Sequence, residues 1–211
     1  MRLDPAGWPF ILGALVLAAV AAWWLGRLWA IPLVILAGFF VFFFRDPDRH
    51  TPTGADLVVS PADGRVMIVG EPPGAGAPPG EWSQVSIFLS PMDVHVNRAP
   101  VDGRITSVEY HAGRFLPAYR EDAGLHNEWT EVWFDHHGVP IVCRQIVGIL
   151  ARRIVTRLTV GQQVTRGERF GIMKFGSRID LFLPRSARIT VKVGDRVVGG
   201  ESVVATLIGE R

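Results

Sequence analysis

The sequence predicts a mainly β protein: a flattened barrel-sandwich-like β domain behind an N-terminal transmembrane helical hairpin. Three observations carry this. Residues 8–44 are almost wholly apolar, with Arg27 as the one charge. Residues 57–211 break into short apolar, largely β-branched runs separated by glycine and proline, with no long helical pattern. A turn of the form G-x-x-V-x-x-G-E occurs twice, at Gly161–Glu168 and Gly194–Glu201.

The apolar segment comes first. As one straight helix it would be about 55 Å long, against a hydrocarbon core of roughly 30 Å. Splitting it near Gly26-Arg27 gives two halves, 8–26 and 28–44, each near the minimum for a span. A helical hairpin follows, with one span plus an interfacial helix as the alternative. Trp8, Trp23, Trp24 and Trp29 suit interfacial positions. The apolar region is too long for a cleaved signal peptide, and no small-residue cleavage site follows it. Arg2, Arg45 and Arg49 favour cytoplasmic placement of both ends, diluted by Asp4, Asp46 and Asp48.

Residues 1–44 are thus read as the anchor, 45–56 as a polar linker and 57–211 as the β domain. Strands are expected at 57–59, 66–69, 85–89, 105–110, 130–134, 141–150 and 154–158, with a flexible Pro/Gly loop at 72–80. There are two internal echoes. Pro61-Ala-Asp-Gly-Arg-Val66 resembles Pro100-Val-Asp-Gly-Arg-Ile105, and the two G-x-x-V-x-x-G-E turns resemble each other. Such turns recur in flattened barrels of the lipoyl and biotinyl type. Lys174 lies near the Gly176 turn but lacks the Met-Lys-Met setting of a carrier lysine.

Composition narrows the function. Lys+Arg is 22 and Asp+Glu is 20, a formal charge of +2, too balanced for a nucleic-acid partner. Cys143 is the single cysteine, so no internal disulfide forms, and its apolar flanks suit a small core residue. No His, Cys and carboxylate set has metal-site spacing.

The chemistry centres on Gly176-Ser177. An arbitrary Gly-Ser is a tight turn. Here its flanks are β-like, so the pair lies within or beside a strand, with the hydroxyl close to the preceding carbonyl. Asp63 alone reads as an Asp-Gly turn, and His95 alone as a satisfied structural histidine. His126-Asn127-Glu128 follows the segment 113–124, and His136-His137 looks like a solvated hairpin tip.

Ser-Pro-Ala-Asp-Gly (60–64), Asp-Val-His-Val-Asn-Arg-Ala-Pro (93–100), His-Asn-Glu (126–128) and Phe-Gly-Ser-Arg-Ile-Asp (175–180) occur in that order behind the anchor. On these motifs residues 45–211 resemble the phosphatidylserine decarboxylase family in its short form. The resemblance implies a proenzyme that cuts itself between Gly176 and Ser177 into a β chain, 1–176, and an α chain, 177–211, which stay associated. It implies a pyruvoyl group made from Ser177, a Schiff base with the substrate amine, loss of carbon dioxide and reprotonation. It implies phosphatidylserine as substrate, phosphatidylethanolamine as product, a place in phospholipid biosynthesis, and a homodimer. His95 is the candidate base, with Asp63 orienting it. Arg98, Phe115 and His126 are the candidate substrate-binding residues. Two positions depart from the family pattern: Arg178 follows the serine where threonine is usual, and Arg98 stands where long bacterial members carry a second histidine.

The expected place is the cell inner membrane, with the catalytic domain on the cytoplasmic side. Residues 113–120 mix apolar side chains with arginine, and either dock on the bilayer or hold the lipid phosphate, or form an ordinary surface loop. Two alternatives remain open. One keeps the chemistry on another serine-headgroup lipid, such as archaetidylserine. The other is a non-catalytic, membrane-tethered barrel adaptor, which predicts an uncut chain.

Overall fold

The computed structural model describes residues 2–72, 76–120, 122–149 and 154–208. Residues 73–75 of the expected Pro/Gly loop and Leu150 of the expected strand lie outside these. The chain divides into two compact units, Met1–Asp48 and Arg49–Arg211.

In the first unit β1 (Arg2–Leu3) pairs antiparallel with β2 (Arg45–Asp46). Between them run α1 (Trp8–Trp24) and α2 (Arg27–Phe43). A short 3-10 turn precedes α1, and the Asp4 carboxylate caps it by accepting from the Ala6 N–H. The chain reverses at Gly26, whose φ of 101° only glycine adopts without strain. The ring of Phe10 then lies 5.5 Å from Phe40 and 5.4 Å from Phe44. Gly7 is required there, since a β-carbon would overlap the Phe44 ring. The apolar break expected near 26–27 thus falls at Leu25-Gly26. The segment Pro5–Trp24 is long and apolar enough to cross a bilayer, whereas α2 is shorter. Leu12, Val16, Val20, Ile31 and Ile35 are exposed on these helices, as are Trp23, Trp24 and Trp29 around the turn. So much contiguous apolar surface calls for a non-aqueous cover.

The second unit is mainly β. Its elements are β3 (Leu57–Val59), β4 (Gly64–Gly70), β5 (Trp82–Leu89), β6 (Val96–Arg98), β7 (Gly103–His111), the single turn α3 (Ala123–His126), β8 (Trp129–His136) and β9 (Val139–Ile146). There follow β10 (Ile154–Thr156), β11 (Gln163–Val164), β12 (Arg169–Met173), β13 (Ser177–Pro184), β14 (Arg188–Ile189), β15 (Arg196–Val197) and β16 (Val203–Thr206). Eight strands form one antiparallel sheet in the order β11-β7-β8-β9-β13-β5-β4-β15, and β10-β12-β6 and β14-β16-β3 form two smaller sheets. Alternation puts Ile87, Leu89, Ile141, Cys143, Ile179 and Leu181 into one buried core. The strand expected over 141–150 ends at Ile146, because its neighbour β13 begins only at Ser177.

The internal echoes are a structural repeat. Each Asp-Gly-Arg segment starts a strand next to one edge of the large sheet, and each pairs with the edge strand of one G-x-x-V-x-x-G-E turn: β4 with β15, β7 with β11. The hydrogen bonds correspond atom for atom. Asp63 accepts from the Gly199 N–H at 2.7 Å, and Asp102 from the Arg166 N–H at 2.8 Å. The Gly200 N–H donates to Ser60 and the Gly167 N–H to Ala99, each at 2.8 Å.

The stretch expected as a linker carries contacts of the second unit from Arg49 onward. Arg49 meets Asp63, the His50 N–H donates to Glu201, and Asp56 accepts from the Leu207 N–H.

Candidate active site

Strand β12 ends at Met173, and Lys174-Phe175-Gly176 turn the chain into β13. Phe175 has φ 59° and Gly176 φ 71°. Glycine takes this left-handed conformation freely, but a phenylalanine there stores on the order of 1 kcal/mol or more of strain. The turn delivers Ser177 as the first residue of β13, opposite Leu89 of β5. Ser177 is fully buried, and its Oγ has no hydrogen-bond partner among the described residues.

His95 stands at this junction, just before β6. The Ser90–Asp93 turn holds it: the Asp93 N–H donates to the Ser90 carbonyl, and the Asp93 carboxylate accepts from the Ser90 N–H. His95 Nδ1 lies 3.0 Å from the Asp93 carbonyl oxygen, and Nε2 lies 3.4 Å from the Gly176 nitrogen. A carbonyl only accepts, so Nδ1 carries the proton. The Gly176 N–H donates, so Nε2 presents its lone pair. This is the tautomer a general base needs beside the Gly176-Ser177 linkage.

The carbonyl of Gly176 is walled by Gly148. A β-carbon at 148 would overlap that oxygen and touch Ala118. Asp63 accepts from Arg49 Nη2 at 2.8 and 3.0 Å as well as from Gly199. Burial holds its carboxyl above the usual range, although Gly199 and Arg49 pull the other way.

Arg178 and Asp180 alternate on the face of β13 opposite Ser177. Both are buried and paired through two bonds of 2.6 and 2.8 Å. Arg178 also donates to the Arg120 carbonyl and to Ser86 Oγ, both at 3.3 Å. Next to it Arg144 pairs with Glu131 and lies over the Trp129 ring. An open, apolar cavity of about 360 Å³ reaches Phe175 and Gly176 between Phe88, Pro91, Tyr119 and Ile149. Burial pushes the Cys143 thiol far up, so it is an inert core residue.

The structure brings His95, Gly176 and Ser177 together. Asp63 is tied to Arg49 and Gly199. Buried Arg98 donates to the Gly167 carbonyl at 3.0 Å and does not line the cavity at Gly176. Phe115 and His126 are both exposed. In His126-Asn127-Glu128 the ordering residue is Asn127, buried and bonded to Leu116 and Val147. The segment Gly113–Arg120 is held by this asparagine from one side and by Arg178 from the other. Among the described residues no group of three or more His, Cys, Asp or Glu is placed to hold a metal. Sequence reasoning missed Arg49, Gly148 and the Arg144–Glu131 pair. Of these only Arg144 and Glu131 left a signal, as charges within β-like runs.

Known proteins resemble this chain over nearly its whole length. A family model described as phosphatidylserine decarboxylase matches residues 36–205. A phosphatidylserine decarboxylase proenzyme of Solibacter usitatus is 43% identical over 205 residues, covering 97% of both chains. One of Symbiobacterium thermophilum is 46% identical over 204 residues, covering 95% of this chain and 94% of the relative. One of Nitrosomonas europaea is 41% identical over 200 residues, covering 94% and 92%.

Proposed function

The chain belongs to the phosphatidylserine decarboxylase family, and from that premise we infer that it is a pyruvoyl-dependent carboxy-lyase. It converts phosphatidylserine to phosphatidylethanolamine in phospholipid biosynthesis. The observation that carries this reading is the lone pair of His95 Nε2 beside Gly176, next to the buried, unpartnered hydroxyl of Ser177.

The chain first acts on itself. Ser177 Oγ attacks the Gly176 carbonyl carbon, and His95 takes the hydroxyl proton. His95 returns that proton to the departing Ser177 nitrogen, which leaves an ester between Gly176 and Ser177 Oγ. Loss of the Ser177 α-proton expels the Gly176 carboxylate, the new end of the β chain. The dehydroalanine left at 177 takes up water and releases ammonia, leaving a pyruvoyl group at the start of the α chain. Strain at Phe175 favours opening, and the lack of a side chain at Gly148 leaves room for the Gly176 carbonyl.

An Asp63 carboxylate would support the positive charge that develops on His95, with Arg49 and the Gly199 N–H offsetting part of its burial. The unpartnered Ser177 Oγ lies at the position the pyruvoyl group takes, so the buried layer fits it. That group supplies an electrophilic carbonyl that captures the substrate amine and takes up the electron pair left by carbon dioxide. The apolar cavity at Gly176 suits the glycerol and acyl portion of a lipid. Pro117, Ala118 and Tyr119 line its rim, and the exposed Phe115 and Tyr119 suit a bilayer surface.

We read the sheets of the second unit as a flattened barrel-sandwich, and α1 and α2 as a membrane hairpin with both ends cytoplasmic. The exposed apolar faces of both helices support this, as do Arg2 and Arg45; Arg49 is committed to Asp63. A denaturing gel and carbon dioxide release from phosphatidylserine test the reading together. It requires two fragments and released gas, and an intact chain without activity contradicts it.

A further inference from the structure

Among the described residues, two buried polar atoms on the inner side of β13 have no partner: Ser177 Oγ and Asn97 Nδ2. A buried donor left unpaired costs about 1–3 kcal/mol, so a fold retains one where something else is to bind. The asparagine is held by a relay. Thr156 Oγ1 of β10 donates to Gln145 Oε1, and Gln145 Nε2 of β9 donates to Asn97 Oδ1 of β6, each at 2.7 Å. Both Asn97 and Gln145 are fully buried. The relay takes up the asparagine oxygen and leaves its N–H groups free.

Register shows which side they serve. Gln145 is opposite Ile179, and Ser177 opposite Leu89. Directly opposed residues share a face, and β13 alternates. Gln145 therefore projects to the same side as Ser177, into the layer between the large sheet and β6. His95, two residues before Asn97, stands in that layer against Gly176. Of the nearby arginines, Arg98 bonds the Gly167 carbonyl, and Arg178 pairs with Asp180 on the other face.

Resting on the function proposed above, we propose that Asn97 is the specificity residue of this site and that its free side-chain N–H receives the carboxylate of the serine headgroup. A neutral donor suits a group that must shed its charge. A cation would stabilise the carboxylate more than the transition state and oppose carbon dioxide loss, whereas an amide orients it with less bias. The bond that breaks joins the substrate α-carbon to the carboxyl carbon. Its electron pair passes into the electrophile at 177, and a proton later replaces the lost carboxyl.

The test uses mature protein whose ketone has been reduced with borohydride, so that binding is read without turnover. Short-chain phosphatidylserine and short-chain phosphatidylethanolamine are titrated against it by tryptophan fluorescence. Both carry the phosphate and only the first the carboxylate, which separates the two anions. Wild type is expected to prefer the serine lipid by about tenfold or more, the scale of a hydrogen bond to a charged group. Asn97→Asp keeps the acceptor for Gln145 but offers oxygen in place of N–H. It should still cut itself into two fragments and lose the preference. Thr156→Val loosens the far end of the relay and should lower the preference severalfold with cleavage intact. Cleaved Asn97→Asp that keeps the wild-type preference overturns the proposal. So does folded but uncut Asn97→Asp, which would move the donor to the self-cleavage step. If Asn97→Asp does not fold, an unchanged preference in Thr156→Val overturns it. An uncut wild-type chain would instead strike the functional reading itself.

Discussion

Gly148 stands against the carbonyl oxygen of Gly176 so closely that no side chain fits between them. The glycine is there for space, not for a special φ. Gly148→Ala should push the carbonyl away from Ser177 while leaving the strands paired. Misplacement on that scale costs about 10²-fold in rate. A time course of freshly made precursor on a denaturing gel reads this, with circular dichroism to check the fold. Cleavage at the wild-type rate would remove Gly148 from the account.

His95 offers its Nε2 lone pair beside the same linkage. Replacing it with alanine takes away the proton acceptor for Ser177 and should slow self-cleavage by about 10² to 10⁴-fold, the usual worth of a general base. The same gel assay measures it. Unchanged kinetics in His95→Ala would mean that another group takes the proton.

Asp63 makes a prediction about pH. Burial holds its carboxyl above the ordinary value of 3.8, against the pull of Gly199 and Arg49. The folded chain therefore binds this proton more tightly than the unfolded chain does. The stability so gained is complete below pH 3.8 and is lost as pH rises through the higher folded value. Asp63→Asn cannot ionise and has no such slope. Thermal midpoints in detergent, taken from about pH 3 to 7, should show wild type losing ground against the variant through that window. A constant gap contradicts the shift.

The Arg178–Asp180 pair tests how the strand behind the cleavage site is held. Each side chain is only 2% exposed. Arg178→Met leaves a carboxylate buried alone and should cost about 3–5 kcal/mol. Arg178→Met with Asp180→Leu removes both charges and should recover much of that loss. Denaturant midpoints compare the three proteins; a double variant no better than the single one would contradict this pairing.

Part of this was legible in the sequence because it is local. The Gly176-Ser177 junction, the strand after it and the histidine among valines each sit within a few residues, and the repeated Asp-Gly-Arg and G-x-x-V-x-x-G-E segments announce the repeat that pairs them. What stayed hidden is long-range. Arg49 reaches Asp63 across a turn that polar composition alone marks as linker. Asn97, Gln145 and Thr156 come from three strands, and no spacing joins them. Gly148 reads as one more loop glycine until a backbone oxygen is found where its side chain would be. Asp102 shows why Asp63 could not be assigned from its own motif. The same Asp-Gly in the other half of the repeat caps a turn in the same way.

Mass spectrometry of the purified mature protein bears most directly on the claim that the Gly176-Ser177 bond opens by itself. The account predicts a β chain ending in a Gly176 carboxylate and an α chain that begins with a carbonyl at 177, trapped by an amine and borohydride. A single intact chain with an unmodified serine at 177 would contradict it.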